Sequence, residues 1–319
     1  MQATYPSAKM RNVSAWRHSV RREPGAGMHL EPETLMSVPE RPARHRITNL
    51  QRYTPRVQPD TRQRYVTALR AAAQSAIPFL IGGAYALGHH TGIRRWTKDL
   101  DLFVRPEDVE PLLAALRSAG LETEVTFPHW LAKAHLGEDT IDVIFSSGNG
   151  VARVDDDWFA HSVPTTVMGV RARLCPPEEM IWSKAFIMER ERYDGADIAH
   201  LIRACHARLD WDRLLARFGP DWRVLLSHLA LFGYVYPAER RAVPDSVMQT
   251  LARALIAEST APAPRQRICR GTLLSRQQYL TDIRNWPVAS RRKGTASART
   301  PPRARSRRRA RACGSPGST

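Results

Sequence analysis

Two carboxylates at alternate positions are the residues of this chain best suited to chemistry. Asp99 and Asp101 lie in the segment 98–104, which alternates polar and apolar residues and therefore predicts a strand with one buried face. Alternation puts both carboxylates on the same face of that strand. Because like charges side by side repel each other, we expect a cation between them, and Mg²⁺ is the natural occupant.

A third carboxylate stands alone in a later segment. Asp142 is the single acid of the segment 141–145, whose other residues are all apolar, and this composition predicts a strand. Burying a charged group without a partner is costly. We therefore expect Asp142 to act as a further metal ligand.

A glycine pair precedes the first two acids. Gly82 and Gly83 end the apolar run 78–81, and the apolar residues that follow them have helical spacing, so the pair is predicted to form a strand-to-helix turn. Glycine lets a ligand approach the backbone, and the free N–H groups of a helix N-terminus attract anions. A glycine pair alone is also common in ordinary turns, and an Asp-x-Asp alone is common on solvated strands. The interpretation depends on their combination with Asp142.

Further charged residues lie in the second half of the chain. Lys184 has almost only apolar neighbours in its predicted helix and must reach an anion or the surface. Asp194 and Asp197, spaced by three, share a helix face. Both could simply cap the helix and pair with Arg190 or Arg192. We favour this structural role for Asp197 and leave Asp194 open.

The order of these features resembles the polymerase-beta-type nucleotidyltransferase superfamily. The shared pattern is a Gly-Gly turn, an Asp-x-Asp on the next strand and a lone Asp on a later strand. The resemblance implies two Mg²⁺ ions held by Asp99, Asp101 and Asp142, with a nucleoside triphosphate lying against Gly82 and Gly83. It also implies that Asp142 takes the proton from the acceptor hydroxyl.

A second resemblance concerns Lys184 and the Arg- and Asp-bearing stretch 190–198. This arrangement is similar to that of the bacterial nucleotidyltransferases that include abortive-infection-type toxins. The resemblance implies that Lys184 lies near the nucleotide phosphates, with Asp194 as a further nucleotide-binding candidate. Lys98, in the loop before the carboxylates, could also contact the triphosphate.

The implied reaction is transfer of a nucleoside monophosphate from an NTP to a hydroxyl, with release of pyrophosphate. The acceptor stays open among tRNA, a protein side chain and a small molecule. Two other functions also stay open. A non-catalytic nucleotide-binding or regulatory module would show no metal-dependent turnover. A nucleic-acid-binding protein acting through a basic tail would show steeply salt-dependent binding.

The predicted fold class is α/β (mixed α+β), a nucleotidyltransferase fold with a small mixed sheet flanked by helices and followed by a helical C-terminal domain. We place the catalytic domain at residues 61–175 and the helical domain at 176–286. Residues 1–60 are predicted to be a disordered or loosely attached leader, and residues 287–319 a disordered Arg-rich tail.

Local patterns also predict individual elements. A helix is expected from about residue 61, capped by Asp60 or Thr61. Another is expected over 178–190, and a strand over 122–127. The segment 130–137 could be either a strand or a loop.

Charge and cysteine content exclude several classes of protein. The net charge is +17, but residues 61–285 carry 28 basic and 26 acidic side chains, whereas residues 286–319 carry 10 basic and no acidic ones. The tail could therefore bind polyanions non-specifically. The four cysteines are scattered, which argues against a zinc site or a disulfide framework. The same cysteine pattern predicts a cytoplasmic protein, and because no apolar run has the length of a membrane span, we expect no membrane partner.

Overall fold

The structure, a computed structural model, describes residues 58–265 and 267–285. The predicted tail and the predicted leader up to residue 57 lie outside these residues. The helices of the described part are α1 (Pro59–Gln74), α2 (Gly83–Thr91), α3 (Val109–Ser118), α4 (Asp156–Ala160), α5 (Pro177–Ala185), α6 (Gly195–Cys205), α7 (Trp211–Phe218), α8 (Trp222–Val235), α9 (Asp245–Thr260) and α10 (Arg276–Asn285).

A mixed sheet lies at the centre of the described residues, and its order is β3-β4-β5-β2-β1-β7-β6. Its strands are β1 (Leu80–Ile81), β2 (Asp99–Phe103), β3 (Glu122–Phe127), β4 (Leu131–Leu136), β5 (Asp139–Ile144), β6 (Val163–Val167) and β7 (Val170–Leu174). The pairs β2–β5 and β1–β7 are parallel, and the other pairs are antiparallel. The predicted fold class, a mixed sheet flanked by helices and followed by a helical region, is confirmed.

The two faces of the sheet differ because the strands alternate. Leu100 and Leu102 of β2, with Ile141 and Val143 of β5, are fully buried on the face that α1 and α3 cover. The intervening residues of these strands point to the opposite side. We call that side the carboxylate face, because it bears Asp99, Asp101 and Asp142. Burial of the apolar face therefore determines where the acids point.

Three of the local predictions need correction or completion. Helix α1 begins at Pro59 with Gln58 at its N-cap position, so the predicted caps at Asp60 or Thr61 are wrong; proline suits the first helical position because its missing N–H has no partner there. Helix α5 ends at Ala185 and not at residue 190, because Met188 and Tyr193 form a β-bridge. The open segment 130–137 contains strand β4.

The helical half packs directly on the sheet half. Buried side chains from both predicted domains belong to one hydrophobic cluster, for example Leu174 of β7 with Ile181 of α5 and Leu201 of α6. The boundary between residues 175 and 176 stays a prediction. Within the described residues, no helix has the length and apolar character needed to cross a membrane.

Candidate active site

The glycine turn has the predicted conformation and touches the first acidic strand. Gly82 follows β1 and donates its N–H to the Asp101 carbonyl at 3.0 Å. Gly83, the first residue of α2, has a φ of +52°, and a Cβ built on it would lie 1.7 Å from Oδ2 of Asp101. Only glycine meets both requirements. The turn predicted to bind phosphate and the acid predicted to bind metal are therefore in contact.

Strand register brings the three predicted acids together. Asp101 of β2 lies directly opposite Asp142 of the parallel strand β5, and neighbouring strands lie about 5 Å apart. Asp99 is two residues from Asp101 on the same face. The tyrosine hydroxyl of Tyr65, from α1, donates to the Lys98 carbonyl at 2.6 Å and so fixes the chain just before the acids.

The electrostatics of these acids show mutual repulsion. Burial, and then the nearby charges of Asp142 and Asp99, raise the pKa of Asp101 to about 6. Burial and the charge of Asp142 also raise the pKa of Asp99. Among the described residues, neither Asp99 nor Asp101 has an ion-pair partner within 4 Å. A bound cation would relieve this repulsion.

The donor set suits a hard divalent cation, although its side chains do not converge on one point. Within residues 58–265 and 267–285, no three His, Cys, Asp or Glu side chains form a cluster arranged to hold a metal ion. Carboxylate oxygens are nonetheless the ligands that Mg²⁺ prefers. Neither Asp99 nor Asp101 has an ion-pair partner within 4 Å among the described residues, and the charge of Asp142 adds to burial in raising the pKa of both. The residues therefore fit the implied metal.

A group of charged side chains joins α5 to the start of α6. The Lys184 ammonium contacts Asp194 at 2.7 Å and Asp197 at 2.9 Å. Asp197 also pairs with Arg95, and Asp194 accepts from Arg192 at 3.1 Å. Burial raises the pKa of Asp194, but the hydrogen bond from Arg192 and the charge of Lys184 outweigh burial and lower it.

The charges of this group also act on the carboxylates. Lys184 and Arg192 both lower the pKa of Asp101, against the larger effect of burial. The direct contacts of the Lys184 ammonium are with Asp194 and Asp197. Lys98 is exposed, and its side chain forms no ion pair within 4 Å among the described residues.

The structure also shows two contacts that the sequence did not predict. Lys133 of β4 lies opposite Asp142 and contacts it at 2.6 Å. Arg95 pairs with Asp197, where Arg190 or Arg192 was expected. The alternation of β4 could have put Lys133 on a polar face, but only strand order puts it next to Asp142.

Comparison with protein families identifies the chain. A family model described as "Uncharacterised nucleotidyltransferase" matches residues 36–220, more than half of the 319 residues. The chain belongs to this nucleotidyltransferase family. The matched segment includes the glycine turn, all three acids and Lys184, so the nucleotidyltransferase assignment covers the whole candidate site. The chain is thus a nucleotidyltransferase, whereas its resemblance to abortive-infection-type toxins stays a prediction.

Several solved structures are similar to this one at low identity. The antibiotic-resistance factor ANT(2'')-Ia is 19% identical, with 54% of this chain and 98% of that chain covered and a TM-score of 0.39. The lincosamide antibiotic adenylyltransferase LnuA is 16% identical, with 46% and 96% covered and a TM-score of 0.33. JHP933 from Helicobacter pylori is 13% identical, with 72% and 100% covered and a TM-score of 0.34. A search of curated proteins finds no match to this nucleotidyltransferase.

Proposed function

We propose that this nucleotidyltransferase uses Mg²⁺ to move a nucleoside monophosphate from an NTP to an acceptor hydroxyl, releasing pyrophosphate. The observation that supports this proposal is the register of β2 and β5, which sets Asp101 opposite Asp142 with Asp99 on the same face. Three neighbouring carboxylates beside a glycine turn suit a metal-bound triphosphate.

The roles of the residues follow from their positions. Asp99, Asp101 and Asp142 would hold the metal, which when bound neutralises phosphate charge and orients the reacting oxygens. Gly82 and Gly83 leave room for phosphate oxygens against the N-terminus of α2. Their lack of side chains lets the phosphates approach Asp101.

The proton and the leaving group also need partners. In the transfer, the acceptor oxygen forms a bond to the α-phosphorus while the bond to the β-phosphate oxygen breaks, so pyrophosphate leaves. Asp142 takes the proton from the acceptor hydroxyl. Lys184 and Arg192 would attract the triphosphate, because their positive charges already act on Asp101, and Asp194 keeps Lys184 in place.

The acceptor is proposed only at the level of its reacting group, a hydroxyl. The test is to incubate the full chain and Mg²⁺ with each of the four NTPs, labelled at the α-phosphate, and an extract of cells. The products are then separated into tRNA, protein and small molecules. We expect one class to become labelled, in a reaction that EDTA abolishes.

The control for this experiment is Asp101→Asn, which keeps size and removes a charge. Label transfer that persists in this variant, or that persists with EDTA, contradicts the metal mechanism. Absence of label in every fraction with all four NTPs contradicts the catalytic proposal as a whole and favours a nucleotide-binding module.

A further inference from the structure

Lys133 is a charged side chain of the carboxylate face to which the mechanism above gives no role. It lies on β4, opposite Asp142 on β5, and its ammonium contacts Oδ1 of Asp142 at 2.6 Å. Both side chains are mostly shielded from water, with 26% of Lys133 and 19% of Asp142 exposed. The contact is therefore less screened by solvent than a surface pair.

The order of the strands determines on which side of Asp142 the lysine lies. Lys133, Asp142 and Asp101 form one row across β4, β5 and β2. Asp142 thus has an ammonium on one side and a carboxylate on the other. Lys133 lies on the far side of Asp142 from Asp101, so it can hold Asp142 without occupying the space between the acids.

The partners of Lys133 distinguish it from the other lysine near the site. Lys184 contacts two acids of the helical half, Asp194 and Asp197. Within the described residues, the ion pairs within 4 Å give Lys133 a single partner, Asp142. Its direct ion pair is thus with a proposed reacting group.

A free aspartate on a strand rotates between several rotamers. A group that must accept a proton has to lie within hydrogen-bonding reach of it, and small displacements are expensive in rate. An ammonium on Oδ1 restricts rotation of the carboxylate and leaves Oδ2 for other partners. Within the described residues, Oδ2 of Asp142 has no hydrogen bond.

We propose that Lys133 is a positioning residue for the transfer reaction, which fixes the Asp142 carboxylate through Oδ1 so that Oδ2 is presented to the acceptor hydroxyl. This inference rests on the proposed function, because it acts through Asp142. It gives β4 a part in the reaction, although β4 carries none of the three acids.

The test compares Lys133→Met and Lys133→Arg with the parent chain, with Arg171→Met as the control. Arg171 is an exposed cation of β7 in the same sheet, so its loss changes the net charge equally, away from the site. Mn²⁺ binding is measured by electron paramagnetic resonance, thermal unfolding by scanning, and kcat and KM by pyrophosphate release with the labelled fraction as acceptor.

For Lys133→Met we expect kcat to fall by about 10- to 100-fold, with KM for the NTP within about twofold. Mn²⁺ should bind as tightly as in the parent or more tightly, because a positive charge has left the acidic site. Lys133→Arg keeps the cation and should recover most of the lost kcat. Arg171→Met should match the parent in all three measurements.

Several results would overturn the inference. An unchanged kcat in Lys133→Met means that the ion pair only joins two strands. A rise in KM with kcat unchanged means that Lys133 contacts the triphosphate directly. If Lys133→Met does not fold, Lys133→Gln replaces it, with the same outcomes. A parent chain that binds no Mn²⁺ contradicts the proposed function itself, whereas parent-like kinetics in the variants contradict only the role of Lys133.

Discussion

Two groups of acids in this protein differ in burial and in their charged partners. On the carboxylate face, Asp142 pairs with Lys133, while Asp99 and Asp101 have no ion pair within 4 Å among the described residues. Between α5 and α7, Glu178 and Glu179 are almost completely buried, yet both contact Arg213. The second group is charge-paired within the protein, while the first leaves two acids without an ion pair among the described residues.

The paired group has further hydrogen bonds. Arg217 contacts Glu179 at 3.1 Å and holds both oxygens of Asp155, at 2.7 and 2.9 Å. The backbone N–H of Asp210 donates to Glu178 at 2.8 Å. These arginines join α5, α7 and the segment before α4 into one unit. Burial alone therefore does not mark a reactive acid, because both glutamates are buried and yet paired with arginine.

The largest expected effect is on transfer by the acids of the sheet. Asp101→Asn keeps size and removes one of three repelling charges, so we expect unchanged or higher thermal stability without Mg²⁺. Transfer should fall by on the order of 10³- to 10⁴-fold, because the metal would lose a ligand. Asp99→Asn and Asp142→Asn should behave in the same direction.

Thermal unfolding with and without Mg²⁺ plus NTP tests the same variants. The parent should gain stability from Mg²⁺ plus NTP, and the variants should gain much less. If the three acids only stabilised the fold, each variant would melt at a lower temperature than the parent and would keep its response to Mg²⁺ plus NTP. Variants that melt lower and still respond to Mg²⁺ plus NTP as the parent does would remove the distinction between the two acidic groups.

In the paired group of Glu178 and Glu179, we expect a substitution to lower stability and to leave metal affinity unchanged. Glu179→Ala removes a completely buried carboxylate and leaves two partly buried arginines short of a partner, which should cost about 3–5 kcal/mol in the free energy of unfolding. Urea unfolding measures this loss. Mn²⁺ affinity of the folded variant should not change.

Glu110→Gln is the matched control for Glu179→Ala. Glu110 also pairs with an arginine, Arg117, but 69% of its side chain is exposed. Its loss should cost less than about 1 kcal/mol. Equal losses in the two variants would show that burial does not determine the contribution of these pairs.

A buried histidine extends the comparison to pH. His90 is 2% exposed, its ring contacts the Cys175 carbonyl at 2.9 Å, and Arg208 lies beside it. Burial is the main cause that lowers the pKa of His90 to about 4. The unfolded chain takes up a proton near pH 6.5, whereas the folded chain does so only near pH 4.

Stability from neutral His90 is therefore present above pH 6.5 and lost as the pH falls to 4. The full loss is about 3 kcal/mol. Unfolding free energies measured across this range should show a shallower slope for His90→Gln than for the parent. Parallel curves would mean that His90 titrates normally in the folded protein.

The smallest effect is expected at Lys184. Lys184→Ala should weaken NTP binding by about tenfold, since one positive charge near the phosphates is lost. Asp194 and Asp197 keep Arg192 and Arg95, so the fold should persist. Isothermal titration measures binding, with Arg203→Ala as the control because Arg203 pairs only at the surface of α6. Wild-type binding in Lys184→Ala would show that the lysine serves the helical half alone.

The sequence determined the local part of this site. Alternation in β2 placed Asp99 and Asp101 on one face, and the glycine pair marked a turn that only residues without a side chain can form. Asp142 was predicted to belong to the site because it is the single acid of an apolar strand. Each of these inferences depends on neighbours within a few residues, where strand and helix periods are fixed by backbone geometry.

The tertiary structure decided which of these residues meet. Asp101 and Asp142 lie opposite each other because β2 and β5 pair in parallel, with β3 and β4 between them in the chain. The lysine beside Asp142 and the arginine beside Asp197 follow from strand order and helix packing. Local periodicity does not contain this information, since register depends on which distant strand buries the same apolar face. The sequence therefore predicted which acids belong to the candidate site, and the fold decided which residues those acids contact.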